Sequence, residues 1–237
     1  MRQLVLVGVL ALVVQLYAAD DQCHYSVRQQ CSSLPQKYTP CSALFSGAHT
    51  VMGSLRDFVL QHILNSHHYL LMSANFANYE RQREGFAKMF KKLSDDTWED
   101  AIDTIKYMTK RGGSMDYSRT LLESVSNSTL KPIALELTEP ESLSLALDMY
   151  KNLAHKAHEI HGLVTKRSHN NQDIHDAEVI SFLENKFVSK HTEIIRDLAG
   201  HSNDLMNLIK TSKKDSKMQN QAGLSVYLFD DYIKNLY

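Results

Sequence analysis

The chain has 237 residues, a formal net charge of −1 and 43% hydrophobic residues. So small a net charge excludes the broad electrostatic attraction by which basic proteins bind nucleic acid or membrane surfaces. We therefore expect no nucleic-acid partner and no membrane partner. The length that remains after a short N-terminal leader, about 218 residues, is sufficient for one well-buried domain. With only four prolines, the chain gives no sign of a disordered linker.

The first residues, 1–19, match a secretory signal peptide. Arg2 supplies the positive end, the segment from Leu4 to Leu16 is almost entirely apolar, and Ala18-Ala19 offers small residues for cleavage. This apolar run is short for a transmembrane helix, although an uncleaved anchor remains the alternative. We expect cleavage near Ala19 and a protein that is secreted or lies in the lumen of the secretory pathway.

Two further features suit that pathway. An N-terminal arm, residues 20–50, carries all three cysteines, Cys23, Cys31 and Cys41. Oxidising conditions predict one disulfide among them, with the pairing open, and the odd count leaves one thiol that is free or pairs with another chain. Asn127-Ser128-Thr129 is an N-glycosylation sequon in a segment without strong periodicity. We expect a glycan at Asn127 and an oligomeric protein.

Residues 51–237 predict an all-α domain, because long amphipathic patterns recur at helical spacing and no strand-like alternation is present. Four long patterns run from Leu55 to Tyr79, from Phe86 to Arg111, from Ser142 to about Arg167, and onward from a start near Asp173 to Asp176. Gly112-Gly113 ends the second pattern, and the segment Thr138 to Glu141 suits the start of the third. The long connection between them permits a crossover that would make these two helices parallel. We expect a four-helix bundle.

A short fifth pattern, Leu224 to Leu236, is apolar on nearly every side. The surface helix of a monomer should show one polar face, so we expect this helix to be buried in a subunit contact. The alternative is a helix wedged into its own bundle.

Polar side chains also fall on the predicted inner faces, and most lie near mid-helix. They are His62, Tyr69, Thr97, Asp100, Tyr150 and His191. A buried, unpaired carboxylate costs several kcal/mol, so Asp100 should be protonated, paired with a histidine, solvated or metal-bound. One interpretation is a hydrogen-bonded polar plug. The other is a site at which His62, Asp100 and His191 hold a single zinc or iron ion.

A second acidic group lies beside the apolar stripe of the second helix. Its members are Asp95, Asp96, Glu99 and Asp103. They could form a solvated face. If that face lined an enclosed cavity, however, these hard oxygen ligands would collect ferric ions.

Five short segments, taken together in order and spacing, resemble one known family. They are Tyr69-Leu70-Leu71-Met72, Gly85 to Phe90, Lys110-Arg111-Gly112-Gly113, Phe182-Leu183-Glu184-Asn185, and Gly223 to Asp230. From about Leu55 to Tyr237 the chain resembles ferritin, specifically its secreted, insect-type light-chain branch. The resemblance implies a ferritin-like four-helix bundle with a long crossover and a short fifth helix. It also implies a hollow cage of twenty-four subunits that stores iron as hydrated ferric oxide, with no organic cofactor.

The resemblance also places the ferroxidase ligands of heavy-type ferritin subunits on this sequence. A first-helix Glu falls on His62, a Glu-x-x-His pair on Thr97 and Asp100, a third-helix Glu on Tyr150, and a fourth-helix Gln on His191. Only the tyrosine of the family pattern, at Tyr69, is retained. We therefore expect no enzymatic iron oxidation by this chain, and a heavy-type partner subunit in a mixed cage, which the spare cysteine could link.

Two further sites come from the same resemblance. The family's mineral-nucleating carboxylates fall on and near Asp95, Asp96 and Glu99, whereas neighbouring positions hold Lys88, Lys91 and Lys92. At the threefold pore, Glu184 is retained, and Asp176 and Glu178 lie close by in sequence. These acids would keep the pore negative and attract ferrous ions.

The leading hypothesis is thus a non-catalytic iron-storage subunit that provides shell structure and nucleates mineral. Two alternatives remain. One is an unconventional metal-dependent ferrous oxidase that uses His62, Asp100 and His191. The other is a secreted helical binding module without an iron role.

Overall fold

The computed structural model describes residues 43–115, 137–165, 175–214 and 221–237. The predicted leader, the three cysteines and the sequon at Asn127 lie outside these ranges. The helices are α1, Ala48–Phe76; α2, Glu84–Lys110; α3, Glu139–Thr165; α4, which joins Ala177–Leu183, a π-helical turn Glu184–Val188 and Ser189–Lys214; and α5, Gln221–Leu236. No strand occurs within the described ranges. None of the helices described there is both long enough and apolar enough to cross a membrane.

Local chemistry explains three of the helix ends. Gly112 adopts a φ of 81°, which a residue with a β-carbon tolerates poorly, and the Gly113 N–H donates to the Met108 carbonyl at 2.8 Å to close α2. At the start of α3, the Glu141 carboxylate accepts from the Thr138 N–H at 2.9 Å and from its hydroxyl at 2.8 Å. Asp176 caps α4 by accepting from the N–H groups of the next helical residues. All three ends lie close to their predicted positions.

The first helix differs most from its prediction, because it begins at Ala48 instead of Leu55 and ends at Phe76 instead of Tyr79. Gly53 weakens the helical signal of the first two turns, yet Val51 and Met52 are buried there. Burial of these side chains therefore compensates for the low helix propensity of this segment. At the other end, the Arg83 N–H donates to the Phe76 carbonyl at 3.0 Å and closes a tight turn into α2.

Contacts at the helix ends give the relative direction of α2 and α3. Near the start of both helices, Arg83 pairs with Glu139 at 3.0 Å. At the far ends, Arg111, which follows α2, pairs with Asp176, and the Asp176 N–H lies 3.4 Å from the carbonyl of Val164 in α3. The two helices therefore run parallel, the arrangement that their long connection permits.

The core lies between α1, α2, α3 and α4, with α1 packed mainly on α2 and α3 mainly on α4. Buried aromatic rings from α1, α2 and α4, including Phe58, Phe76, Phe90 and Phe187, fill it. Helix α5 packs on α2 and α4 through Phe229 and Ile233. The alternative expectation describes one face, which is wedged into the bundle. The other face is exposed, and its burial in a subunit contact stays a prediction. The exposed residues are Leu224, Tyr227, Leu228, Tyr232 and Leu236.

Candidate metal site in the bundle core

Three potential metal ligands from different helices meet in the core. His62 comes from α1, Asp100 from α2 and His191 from α4, and each offers a ligand atom within 4.8 Å of the other two. His62 is 0% exposed, His191 1% and Asp100 5%. Each residue lies near mid-helix on the inward face, and the packing of the three helices brings them to one level. The sequence predicted this convergence.

Lys190 is the partner of Asp100. Its ammonium donates to both carboxylate oxygens, at 2.7 and 2.8 Å. The prediction for Asp100 considered protonation, a histidine partner, water or metal, and was wrong to omit a lysine. Burial raises the pKa of Asp100, against the opposing effect of the Lys190 ammonium. Lys190 lies one residue before His191, off the inward face, and only its flexible stem carries the charge to Asp100.

The two histidines are buried without hydrogen bonds. Among the described residues, none of their four ring nitrogens has a partner. The rings instead pack on apolar surfaces, with His62 4.3 Å from Phe58 and 5.5 Å from Phe187 between centroids. Burial lowers the pKa of His62 to about 3 and that of His191 to about 4, and the nearby Lys190 charge adds to both shifts. Both rings are therefore neutral at pH 7, and each keeps one lone pair available.

The polar-plug interpretation describes the neighbouring side chains but not the histidines. Thr97 Oγ1 donates to the Leu93 carbonyl at 2.6 Å and lies 3.1 Å from the Tyr150 hydroxyl. The Tyr69 ring stacks on that of Tyr150 at 5.7 Å, and Tyr150 also meets His191 edge-on at 6.0 Å. This layer is continuous with the histidine cluster, and the Tyr150 ring fills space beside it.

The predicted nucleation acids lie in different environments. Asp95 pairs with Lys91, and Asp103 pairs with Lys186 at 2.6 Å. In the described part of the chain, no ion pair involves Asp96, which is partly buried, or Glu99, which is exposed. These two carboxylates are the members of the group with oxygen atoms left for an incoming cation.

The residues predicted for the threefold pore also differ in their exposure and in their partners. Glu184 is exposed and pairs with His161 at 3.0 Å. Asp176 is buried, accepts 2.7 Å from Arg111 and caps α4, so its carboxylate is already fully engaged. Glu178 binds Arg111 and the Tyr107 hydroxyl. Arg111 was not predicted as the partner of these acids, because it lies at a helix end far from both of them in sequence.

Four long helices, a parallel crossover, a short fifth helix and a polar layer at mid-bundle define a ferritin-like four-helix bundle protein. The family model for the ferritin-like domain matches residues 59–208. A ferritin light chain from Trichoplusia ni is 35% identical over 243 residues, covering 99% of this chain and 99% of that protein. A ferritin light chain from Drosophila melanogaster is 35% identical over 216 residues, covering 91% and 90%.

A solved structure agrees with these comparisons. The crystal structure of Trichoplusia ni secreted ferritin matches with a TM-score of 0.76 at 35% identity, covering 92% of this chain and 100% of that chain. The chain belongs to the ferritin family, whose members store iron in multi-subunit cages. The predicted fold class and the family resemblance are both confirmed.

Proposed function

We propose that this chain is a non-oxidising, light-type subunit of a secreted ferritin, contributing shell structure and mineral-nucleating carboxylates. One observation carries the proposal. The cluster at the level of the expected oxidation centre holds a single carboxylate, Asp100, and Lys190 binds both of its oxygens. A di-iron centre in a four-helix bundle uses a carboxylate from each of several helices. Thr97 and Tyr150, which bond to each other, supply none.

Oxidation of ferrous iron would then fall to a heavy-type partner subunit in a mixed cage. The test is anaerobic loading of the assembled protein with ferrous iron, followed by oxygen and a stopped-flow record of ferric absorbance. Protein that contains this chain alone should oxidise iron no faster than its His62→Ala/Asp100→Ala variant. Addition of heavy-type subunits during assembly should restore fast oxidation.

A ferrous oxidase at His62, Asp100 and His191 is the second candidate, favoured by the approach of their ligand atoms to within 4.8 Å. It predicts the opposite result in the same experiment. Rapid oxygen-dependent oxidation by this chain alone, lost in the double variant, would establish the enzyme and remove the storage-only assignment.

Mineral nucleation is assigned to the acidic face of α2, chiefly Asp96 and Glu99. Asp95 and Asp103 are nearby but engage lysines. Ferric iron prefers clustered oxygen ligands, so carboxylates without a protein cation are the natural first sites. Asp96→Asn/Glu99→Gln should lower the iron retained per cage when ferric iron is formed slowly, whereas Asp103→Asn should change it little. Equal iron retention by the wild type and both variants would contradict this assignment.

Secretion, a glycan at Asn127 and a disulfide involving Cys23, Cys31 or Cys41 belong to the same proposal. The matching crystal structure, from Trichoplusia ni, is that of a secreted ferritin, which supports export of this chain. N-terminal sequencing of protein from the culture medium should find a start near residue 20. Glycosidase treatment and non-reducing gels test the glycan and the linkage to a partner. A stable monomer that never enters an iron-bearing cage would instead favour a binding module.

A further inference from the structure

The unbonded histidine nitrogens are the least explained feature of the core. Each neutral imidazole carries one N–H donor and one acceptor, and both His62 and His191 lie almost wholly out of solvent without any partner in the described structure. Buried polar groups normally have hydrogen-bond partners, because leaving them unsatisfied is costly. Two such rings side by side, with centroids 6.0 Å apart, present unbonded nitrogens from two helices to one region of the core.

We propose that His62, His191 and Asp100 form a site for one divalent zinc ion, and that Lys190 holds Asp100 until the ion displaces it. The proposal goes beyond iron storage, since a single redox-inert ion in the core requires neither mineral nor oxidation. Its role would be to join α1, α2 and α4 at mid-bundle. It would also keep ferrous iron from this level of the subunit.

The ligand chemistry favours zinc over iron. Two imidazoles and one carboxylate, with a water in the fourth position, form an ordinary tetrahedral zinc environment. For nitrogen-rich sites the divalent metals follow an order in which zinc binds more tightly than ferrous iron. Zinc bonds of about 2.0–2.2 Å place tetrahedral ligands roughly 3.4 Å apart. The three ligand atoms now lie within 4.8 Å, so rotations of the imidazole rings and the carboxylate must draw them closer.

Lys190 supplies the competing charge. Its side chain is 34% exposed, so the ammonium can leave Asp100 and enter water without a change in the helix backbone. Zinc binding therefore exchanges one cation for another at the same carboxylate. Removing the lysine charge should strengthen zinc binding, whereas a purely structural ion pair would give no such gain.

Lys186 offers a matched control. It lies one turn before Lys190 along α4 and pairs with Asp103, at 2.6 Å, outside the ligand cluster. Replacing either lysine by methionine removes the same charge and keeps a similar aliphatic stem. Only Lys190→Met frees a ligand of the proposed site.

The experiment uses the full-length assembled protein after removal of metals by a chelator. Cobalt is titrated first, because four-coordinate cobalt gives strong visible absorption, and zinc then displaces it. Differences between variants isolate this site from any surface histidines. We expect one cobalt ion per chain with a four-coordinate spectrum, and its loss in His191→Gln and in Asp100→Asn.

Lys190→Met should bind zinc about tenfold more tightly than the wild type, since a hydrogen bond to a charged group contributes roughly that factor. Lys186→Met should stay within about twofold of it. A gain in affinity cannot come from misfolding, so this variant tests the proposal even if a ligand variant is unstable. Identical spectra and affinities for wild type, Asp100→Asn and Lys190→Met would overturn the site. Weaker binding by Lys190→Met would overturn the exchange.

Discussion

Gly85, in the first turn of α2, lies against the backbone of Asp230 in α5. A β-carbon placed on Gly85 would lie 2.0 Å from the Asp230 carbonyl oxygen and 2.8 Å from the Lys234 nitrogen. In the same contact the Asp230 side chain accepts from the Phe86 N–H at 2.9 Å. This bond satisfies one of the free N–H groups at the start of α2. The close approach therefore docks the fifth helix on the bundle.

Gly85→Ala should destabilise the protein by about 3 kcal/mol, because the atoms in the way are backbone atoms and α5 must move as a unit. Ordinarily this substitution stabilises a helix. Denaturant unfolding gives the free energy, and limited proteolysis within residues 221–237 reports release of α5. Gly200→Ala, in α4, is the control, since its β-carbon would meet nothing within 4 Å. A stabilising Gly85→Ala would contradict the docking role.

The buried Arg111–Asp176 pair should contribute far more than an exposed one. Arg111→Met leaves Asp176 buried beside the start of α4 without its cation, at a cost of about 3–5 kcal/mol in unfolding free energy. Arg196→Met breaks an exposed pair with Asp197 and should cost less than about 1 kcal/mol. Thermal unfolding of the two variants compares them directly. Adding Asp176→Asn to Arg111→Met should recover part of the loss, because the uncompensated charge disappears.

The hydrogen bond between Thr97 and Tyr150 is suited to a double-mutant cycle. Thr97 donates to Leu93, so the Tyr150 hydroxyl donates to Thr97. Thr97→Val keeps the shape but leaves that hydroxyl buried and unbonded, at a cost of about 1–3 kcal/mol. With Tyr150→Phe already present, Thr97→Val should cost clearly less. Unfolding free energies of the four proteins give the coupling, and additive effects would show that the bond contributes nothing.

The two buried histidines predict sensitivity to acid. Folding lowers the pKa of His62 from 6.5 to about 3 and that of His191 from 6.5 to about 4. Below pH 6.5 the unfolded chain therefore binds protons that the folded chain does not. The contribution of the two neutral histidines to the free energy of unfolding is thus fully present above pH 6.5 and falls as the pH decreases toward 4. The slope should be about 1.4 kcal/mol per pH unit for each histidine.

His62→Leu isolates this effect in metal-free protein. Leucine suits the surrounding Phe58 and Phe187 rings and removes two unbonded nitrogens, so stability at pH 7 should not fall. Between pH 6 and 4.5, the free energy of unfolding should fall less steeply for the variant than for the wild type, by about 1.4 kcal/mol per pH unit. The other histidines are common to both proteins and cancel in the difference. Parallel pH profiles would mean that His62 titrates normally in the folded state.

Helix positions were largely predictable, because apolar periodicity and end chemistry are local. Gly112-Gly113, Thr138 with Glu141, and the acids near Asp176 each lie at the helix end they predicted. The start of α1 was not predictable, since Val51 and Met52 are held by burial that no local pattern reports. The double character of α5 was hidden for a similar reason. Its apolar sides look alike in sequence until the bundle covers one of them.

In the candidate site, too, the positions of residues along each helix were predictable from the sequence, whereas contacts between helices were not. Helical spacing alone placed His62, Asp100 and His191 on inward faces, since periodicity is a property of the chain. The missing carboxylates were identified by the family resemblance, position by position. Tertiary structure decided which cation meets Asp100, which hydroxyl meets Tyr150 and which lysine meets Asp103. Each of these contacts joins two helices far apart in sequence. Whether such contacts form depends on how the helices pack in the bundle and not on the period of any one helix.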